Sequence, residues 1–138
     1  MFLMACAIVL ALDQASKYLV LRNTAETGAP VAIGGLIRIR HVSNRYGWIG
    51  VFRNPPALLI FWALTAVCMA LLAVMEPTSG RDVQAALGTA FGGVTGNTID
   101  RLWRGGVVDF VDLRIWPVFN LADIAITAGV ITATALLI

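Results

Sequence analysis

The sequence predicts an all-α membrane core of four transmembrane helices, with a small β-sheet between the first and second. Three observations predict it. Of 138 residues, 59% are hydrophobic and only 13% charged, and the mean hydropathy is +0.83. Average soluble domains carry roughly 25% charged residues, so this chain lacks the charge to cover a water-facing surface. A soluble enzyme, a coiled coil and a disordered tail are thereby excluded. Four apolar stretches approach the ~20 residues that cross a bilayer. Finally, the polar stretch 22–54 contains LIRIRHV, whose alternation has the period of a half-buried strand.

The spans are expected at about 1–21, 57–75, 83–99 and 118–138, all in a single domain covering 1–138. The first is apolar from Met1 to Leu12 and resumes at Tyr18 after the insertion DQASK. It is not expected to be a signal peptide, because it has no basic start and runs into a charged pair instead of a small-residue cleavage site. With few residues before it, Cys6 is not expected to be a lipidation site. The second span enters through Pro55-Pro56 and carries no charge. The third is rich in Gly and Thr, and the fourth carries one charge, Asp123. Between the first two spans, Pro30, Gly34 and Gly35 punctuate the expected surface sheet, 22–54. The connection EPTSGRD reads as a short turn, and the one from Asp100 to Pro117 as a polar loop.

Net charge is +2, too balanced to suggest nucleic-acid binding. Cys6 and Cys68 both lie in apolar runs and read as small hydrophobes. His41 has no second metal ligand near it, so metal catalysis is not expected.

Ionisable groups inside a span cost at least ~2.5–3.5 kcal/mol each, so each needs a reason. Asp13 and Lys17 stand four apart on one helix face, in the order that favours pairing. Ser16 beside Lys17 points about 100° away, which makes a Ser/Lys hydrolase a poor fit. Gly88, Gly92 and Gly96 form a small-residue stripe for close helix packing. Asn97, Asp100 and Arg101 follow near one face and read as a hydrogen-bond cluster tying the third span to the next loop.

Asp123 stands three residues after Asn120, the spacing of an N-cap and its N3 partner, so a carboxylate stabilised by the helix dipole accounts for it. Asp112 reads as the partner of Arg114. Two aspartates brought together could instead form a dyad in which one keeps its proton and the two divide acid and base roles. Spacing alone leaves both roles open.

DQASK in the first span, GGVTGNTIDR closing the third, GGVVDFVDL after it and FNLADIAI opening the fourth together resemble the lipoprotein signal peptidases (signal peptidase II), over nearly the whole chain. The resemblance implies an aspartic endopeptidase that cuts diacylglyceryl-modified prolipoproteins just before the lipidated cysteine. It implies Asp109 and Asp123 as the catalytic dyad, and a reaction that needs no metal or cofactor. Asp13, Lys17, Asn44, Asn97, Asp100, Arg101 and Asn120 would then support the site or contact substrate. Lipid-modified prolipoprotein and membrane lipid are the expected partners, and the protein is expected to be a monomer. Family topology implies a multi-pass protein of the bacterial inner membrane with the sheet and dyad on the extracytoplasmic face. The charge bias opposes this: eight arginines gather on the dyad side and only Arg81 on the other, and the more basic side ordinarily faces the cytoplasm. Four matched motifs outweigh that bias, since the arginines can pair with acids or lipid phosphates.

One stretch departs from the family. NRYGWIGVF places two residues between Asn44 and Gly47, where the family has one, and a bulky Trp48 where small residues are usual. This bears on substrate fit more than on chemistry. It also motivates the alternative reading, a non-catalytic module of the same fold that binds lipoproteins or lipids. A proton-coupled transporter using Asp13 and Asp123 would call for inverted repeats, and the first and third spans share no pattern.

Overall fold

The computed structural model describes residues 1–25, 28–45, 54–75 and 80–138. Among these residues, four helices and three strands follow in the order α1 (Phe2–Asn23), β1 (Val31–Ala32), β2 (Arg38–Asn44), α2 (Pro55–Met75), α3 (Arg81–Trp103), β3 (Val107–Asp112) and α4 (Leu121–Leu137). α2 begins at Pro55, where a proline costs nothing because first-turn amides have no helical partner; Leu58 N–H then returns to the Asn54 carbonyl at 3.1 Å.

Burial runs opposite to that of a water-soluble helix pack. The only buried residues of α1 are Asp13, Lys17 and Val20, while Leu3, Ile8, Leu12 and Leu19 are exposed. Among the described residues, Lys17, Asn120, Asp13 and Asp100 are the largest fully buried side chains. Soluble proteins almost never bury such groups completely while leaving their aliphatic residues outside. An apolar solvent around the bundle reverses the preference. α1 (22 residues) and the 18 residues Pro55–Leu72 of α2 are long and apolar enough to cross a bilayer, and α4 is a shorter apolar helix.

α3 is the central helix, with eleven of its 23 residues buried. Its glycine stripe lies against α1: Gly88 faces the Phe2 backbone, Gly92 the Cys6 carbonyl and Val9, and Gly96 the Asp13 carboxylate. The neighbouring Gly93 lies against Ala122 of α4, and Gly129 of α4 against Ala86 and Ala90. A Cβ at Gly92 would stand 2.7 Å from the Cys6 carbonyl oxygen and 3.0 Å from the Val9 Cβ, which backbone packing cannot yield cheaply. Gly92→Leu is therefore expected to cost about 1–3 kcal/mol or more, read as a lowered Tm of the detergent-solubilised protein.

The sheet differs from the expectation. It is antiparallel in the order β1-β2-β3, and its third strand comes from the connection between α3 and α4, outside the expected stretch 22–54. VVDFVD shows no clean alternation because five of its six residues are buried; a strand covered on both faces loses the period-2 signal. Val42 pairs with Asp109 and Asn44 with Val107, with an irregularity between Ile39 and Val42. Val108 and Phe110 of β3 pack on Val20, which fastens the sheet to the last turns of α1.

Helix limits also shift. α3 continues through Asp100 to Trp103, beyond the expected limit at 99, and Arg104 N–H closes the helix on the Asp100 carbonyl at 2.8 Å. At the other end it takes in Arg81 and Asp82, expected in the turn. α4 starts at Leu121 because Phe119 is bridged to Val111. Gly47 and Trp48 of the divergent stretch, and 76–79 of the second connection, lie outside the described residues.

Candidate active site

At one end of the bundle, the end of α3, strand β3 and the start of α4 bring Asp109 and Asp123 around Asn120. Asn120 is the N-cap of α4. Its Oδ1 accepts the Asp123 backbone N–H at 3.0 Å, and Asp123 Oδ2 in turn accepts the Asn120 N–H at 3.2 Å. This reciprocal box satisfies two otherwise unpaired amides and holds the Asp123 carboxylate over the helix start. The remaining amide hydrogens of Asn120 go elsewhere: its Nδ2 donates to Asp109 Oδ1 at 2.7 Å and to Asn97 Oδ1 at 3.1 Å. One side chain thus links both aspartates.

Each aspartate has a second amide donor. Asn44, at the end of β2, donates through Nδ2 to Asp109 Oδ2 at 3.2 Å. Asn97 of α3 donates through Nδ2 to Asp123 Oδ1 at 2.8 Å. Asp109 is only 4% exposed. Burial, reinforced by the charge of Asp123, pushes its carboxyl up from 3.8 to about 6, against the opposing hydrogen bonds from Asn44 and Asn120. A carboxyl group that keeps its proton this far up the pH scale can donate one.

Beneath this pair lies a buried ionic layer. Lys17 Nζ donates to Asp13 Oδ2 and Asp100 Oδ2, both at 2.7 Å, and to Asn97 Oδ1 at 3.1 Å. The free oxygen of Asp13 crosses to α4 and accepts the Ala122 N–H at 3.0 Å, so α1 caps a helix other than its own. Asp100 Oδ2 also accepts the Val108 N–H of β3 at 3.3 Å, the expected tie between α3 and the following segment. Arg101 is partly exposed and feels the charges of Asp123, Asp109 and Asp100. All nine residues expected at the site on sequence grounds therefore stand in one connected region.

Two members were missed. Gln14 donates to Asp13, to the Gly96 carbonyl and to Asp100, at 3.2 to 3.3 Å. Arg104 pairs with Asp100 and donates to Gln14 Oε1 at 3.0 Å. The spacing of four between Asp100 and Arg104 could have found the second; nothing in the sequence signalled the first. Asp112 corrects an expectation. Its charged partner is Arg40 on the adjacent strand, at 3.5 Å, while Arg114 contributes only its backbone N–H, at 2.8 Å. Cross-strand proximity supplies a partner that loop spacing could not show. Ser16 Oγ donates to the Asp13 carbonyl and Lys17 is fully engaged elsewhere, in keeping with the rejection of a Ser/Lys pair.

Asp123 also lines a cavity of about 540 Å³ whose other walls include Trp116, Phe119, Ile124 and Ile131. A carboxylate at the edge of an apolar groove suits a substrate that is apolar beside its reacting bond.

Comparison with known proteins decides the family. The model of signal peptidase II matches residues 5–138. The chain belongs to the signal peptidase II family. The lipoprotein signal peptidase of Moorella thermoacetica is 39% identical over 131 residues, covering 94% of this chain and 87% of that protein. That of Halothermothrix orenii is 34% identical over 122 residues, covering 88% and 84%. A bacterial membrane enzyme solved by the in meso method at 2.3 Å superposes with a TM-score of 0.87, at 26% identity, over 99% of this chain and 86% of that one. As a signal peptidase II family member the chain is a membrane protein and a peptidase, hence a hydrolase of lipoprotein maturation.

Proposed function

We propose that this signal peptidase II family member is an aspartic endopeptidase that removes signal peptides from diacylglyceryl-modified prolipoproteins, cutting just before the lipidated cysteine. The observation that carries the reading is the linkage of Asp109 and Asp123 through Asn120 at the edge of an apolar groove. Asp123, held at the start of α4 by Asn120 and Asn97, takes a proton from water as it attacks the scissile carbonyl. Asp109 carries the proton of the pair and donates it to the carbonyl oxygen as charge develops there. The pair titrates as a unit, and the roles follow from the deeper burial of Asp109. The groove receives the apolar part of the substrate. No metal or cofactor enters the mechanism.

In this reading all four helices cross the bacterial inner membrane within one domain, the protein acts as a monomer, and lipid surrounds its exposed aliphatic faces. The sheet and dyad lie at the extracytoplasmic face, with Trp103 and Trp116, both well exposed, at the lipid headgroup level, where such rings are enriched. The alternative of a non-catalytic binding module rested on the stretch around Gly47 and Trp48, outside the described residues.

The test is mass loss from a prolipoprotein incubated with the purified protein in lipid. Cleavage of the diacylglyceryl-modified precursor and not of the unmodified one is expected. A folded protein that cleaves neither, across several precursors, overturns the reading. The pH profile adds a second expectation. Raising the pH strips the proton from Asp109, so kcat/KM falls on the alkaline side, with the free enzyme's limb starting from about 6. A rate that climbs steadily to pH 9 contradicts the assigned acid.

A further inference from the structure

Lys17 is fully buried and does not touch either aspartate of the dyad, yet it spends one of its three N–H donors on a neutral group. Two go to Asp13 and Asp100, and the third to Asn97 Oδ1 at 3.1 Å. An ammonium has no acceptor, so the atom of Asn97 that faces it must be the amide oxygen. The amide nitrogen then points the other way, to Asp123 Oδ1 at 2.8 Å. A carboxamide turned over would present its oxygen to Asp123, and two acceptors face to face are tolerated only if the carboxyl is protonated. Asn120 Nδ2 also donates to Asn97 Oδ1, at 3.1 Å, but it is a neutral donor shared with Asp109. The charge-assisted bond from Lys17 is the stronger constraint.

We propose that Lys17 is a positioning residue for the dyad, which by holding the oxygen of Asn97 keeps its N–H directed at Asp123 and so preserves Asp123 as the proton acceptor. The inference rests on the dyad reading above and adds how the polarity of the dyad is set. The geometry explains why a lysine is retained at a site where burying it demands two carboxylates and a glycine: Gly96 lies so close to the Asp13 carboxylate that a Cβ would collide with it. A structural ion pair alone would be equally served by an apolar pair of similar volume. An amide that must face one way needs a cation behind it.

The test compares the parent, Asp13→Asn, the charge-balanced double variant Lys17→Met with Asp13→Asn, Asn97→Ala, Asp13→Asn with Asn97→Ala, and the triple combination. Asp109→Asn and Asp123→Asn run beside them. Each purified protein is assayed on a diacylglyceryl-modified lipopeptide for kcat, KM and pH profile, with Tm recorded. The double variant is expected to lose at least about tenfold in kcat relative to Asp13→Asn, with KM little changed, because the damage is to orientation of the reacting groups. Its acid limb should move to higher pH, since an Asp123 facing an amide oxygen is harder to keep as a base. In the Asn97→Ala background the same change should add less than about twofold, the signature of two residues acting through one contact. A folded double variant with unchanged kcat and profile overturns the inference, as does a loss that multiplies fully with that of Asn97→Ala. Where the double variant does not fold, Asn97→Ala decides alone, since it leaves every ion pair of Lys17 in place; unchanged kcat there overturns the proposal. Cleavage surviving in Asp109→Asn or Asp123→Asn would instead overturn the dyad reading itself.

Discussion

Asp109→Asn is expected to cut cleavage by at least about a hundredfold while making the protein more stable above pH 6. Removing a general acid or base costs about 10²–10⁴-fold, and Asp123→Asn should lose as much. Stability moves the other way for Asp109 because of where its proton sits. Its carboxyl is raised from 3.8 to about 6, so the folded state binds the proton more tightly than the unfolded chain. The stability this contributes is fully present below about pH 4 and is lost as pH rises through about 6. At neutral pH the buried carboxylate is a liability of about 3 kcal/mol, which asparagine removes while keeping an acceptor for the Asn120 amide. Thermal unfolding of parent and Asp109→Asn across pH 4 to 8 checks this: the parent should fall in Tm toward pH 7, and the variant should fall less. Equal slopes would show that the burial of Asp109 carries no such penalty. In the proposed mechanism Asp109 is both costly to the fold and required for the reaction, the usual exchange of stability for activity.

Asp100→Ala is expected to be the most destabilising single change. Asp100 is fully buried and accepts from Lys17, Arg104, Gln14 and the Val108 backbone. Its removal leaves the buried Lys17 with Asp13 as its only carboxylate and takes an acceptor from the buried Val108 amide of β3. Breaking a buried pair by deleting one partner costs about 3–5 kcal/mol, a large fraction of a domain's total stability. A large drop in Tm in detergent, partly restored in Asp100→Asn, is the expected outcome. A variant as stable as the parent would mean that lipid or water compensates the exposed cation. Asp100 thus ties α1, α3 and β3 together at the level just below the dyad.

Some of this was legible from local spacing. The pairing of Asp13 with Lys17 and the box of Asn120 with Asp123 connect residues four and three apart, where helix geometry alone dictates proximity. The stripe at Gly88, Gly92 and Gly96 announced a close helix contact because only one face of α3 has that period. The rest was not legible for a common reason. Asp13 with the Ala122 amide, Lys17 with Asp100, Asn97 with Asp123 and Asn44 with Asp109 join residues from 26 to 109 positions apart. No propensity or period reports such partners. β3 escaped notice because a strand buried on both faces reads as a plain apolar run.

Composition and order of motifs by themselves determined that this chain lives in lipid and which family it resembles, because transfer energies and helix period act residue by residue. Which side chains meet, which amide faces which carboxylate, and that a lysine sixteen residues into the first helix stands behind the site were decided only by the tertiary packing of α1, α3 and α4. The physical reason is that a hydrogen bond acts over about 3 Å, and only the folded chain brings its two ends that close.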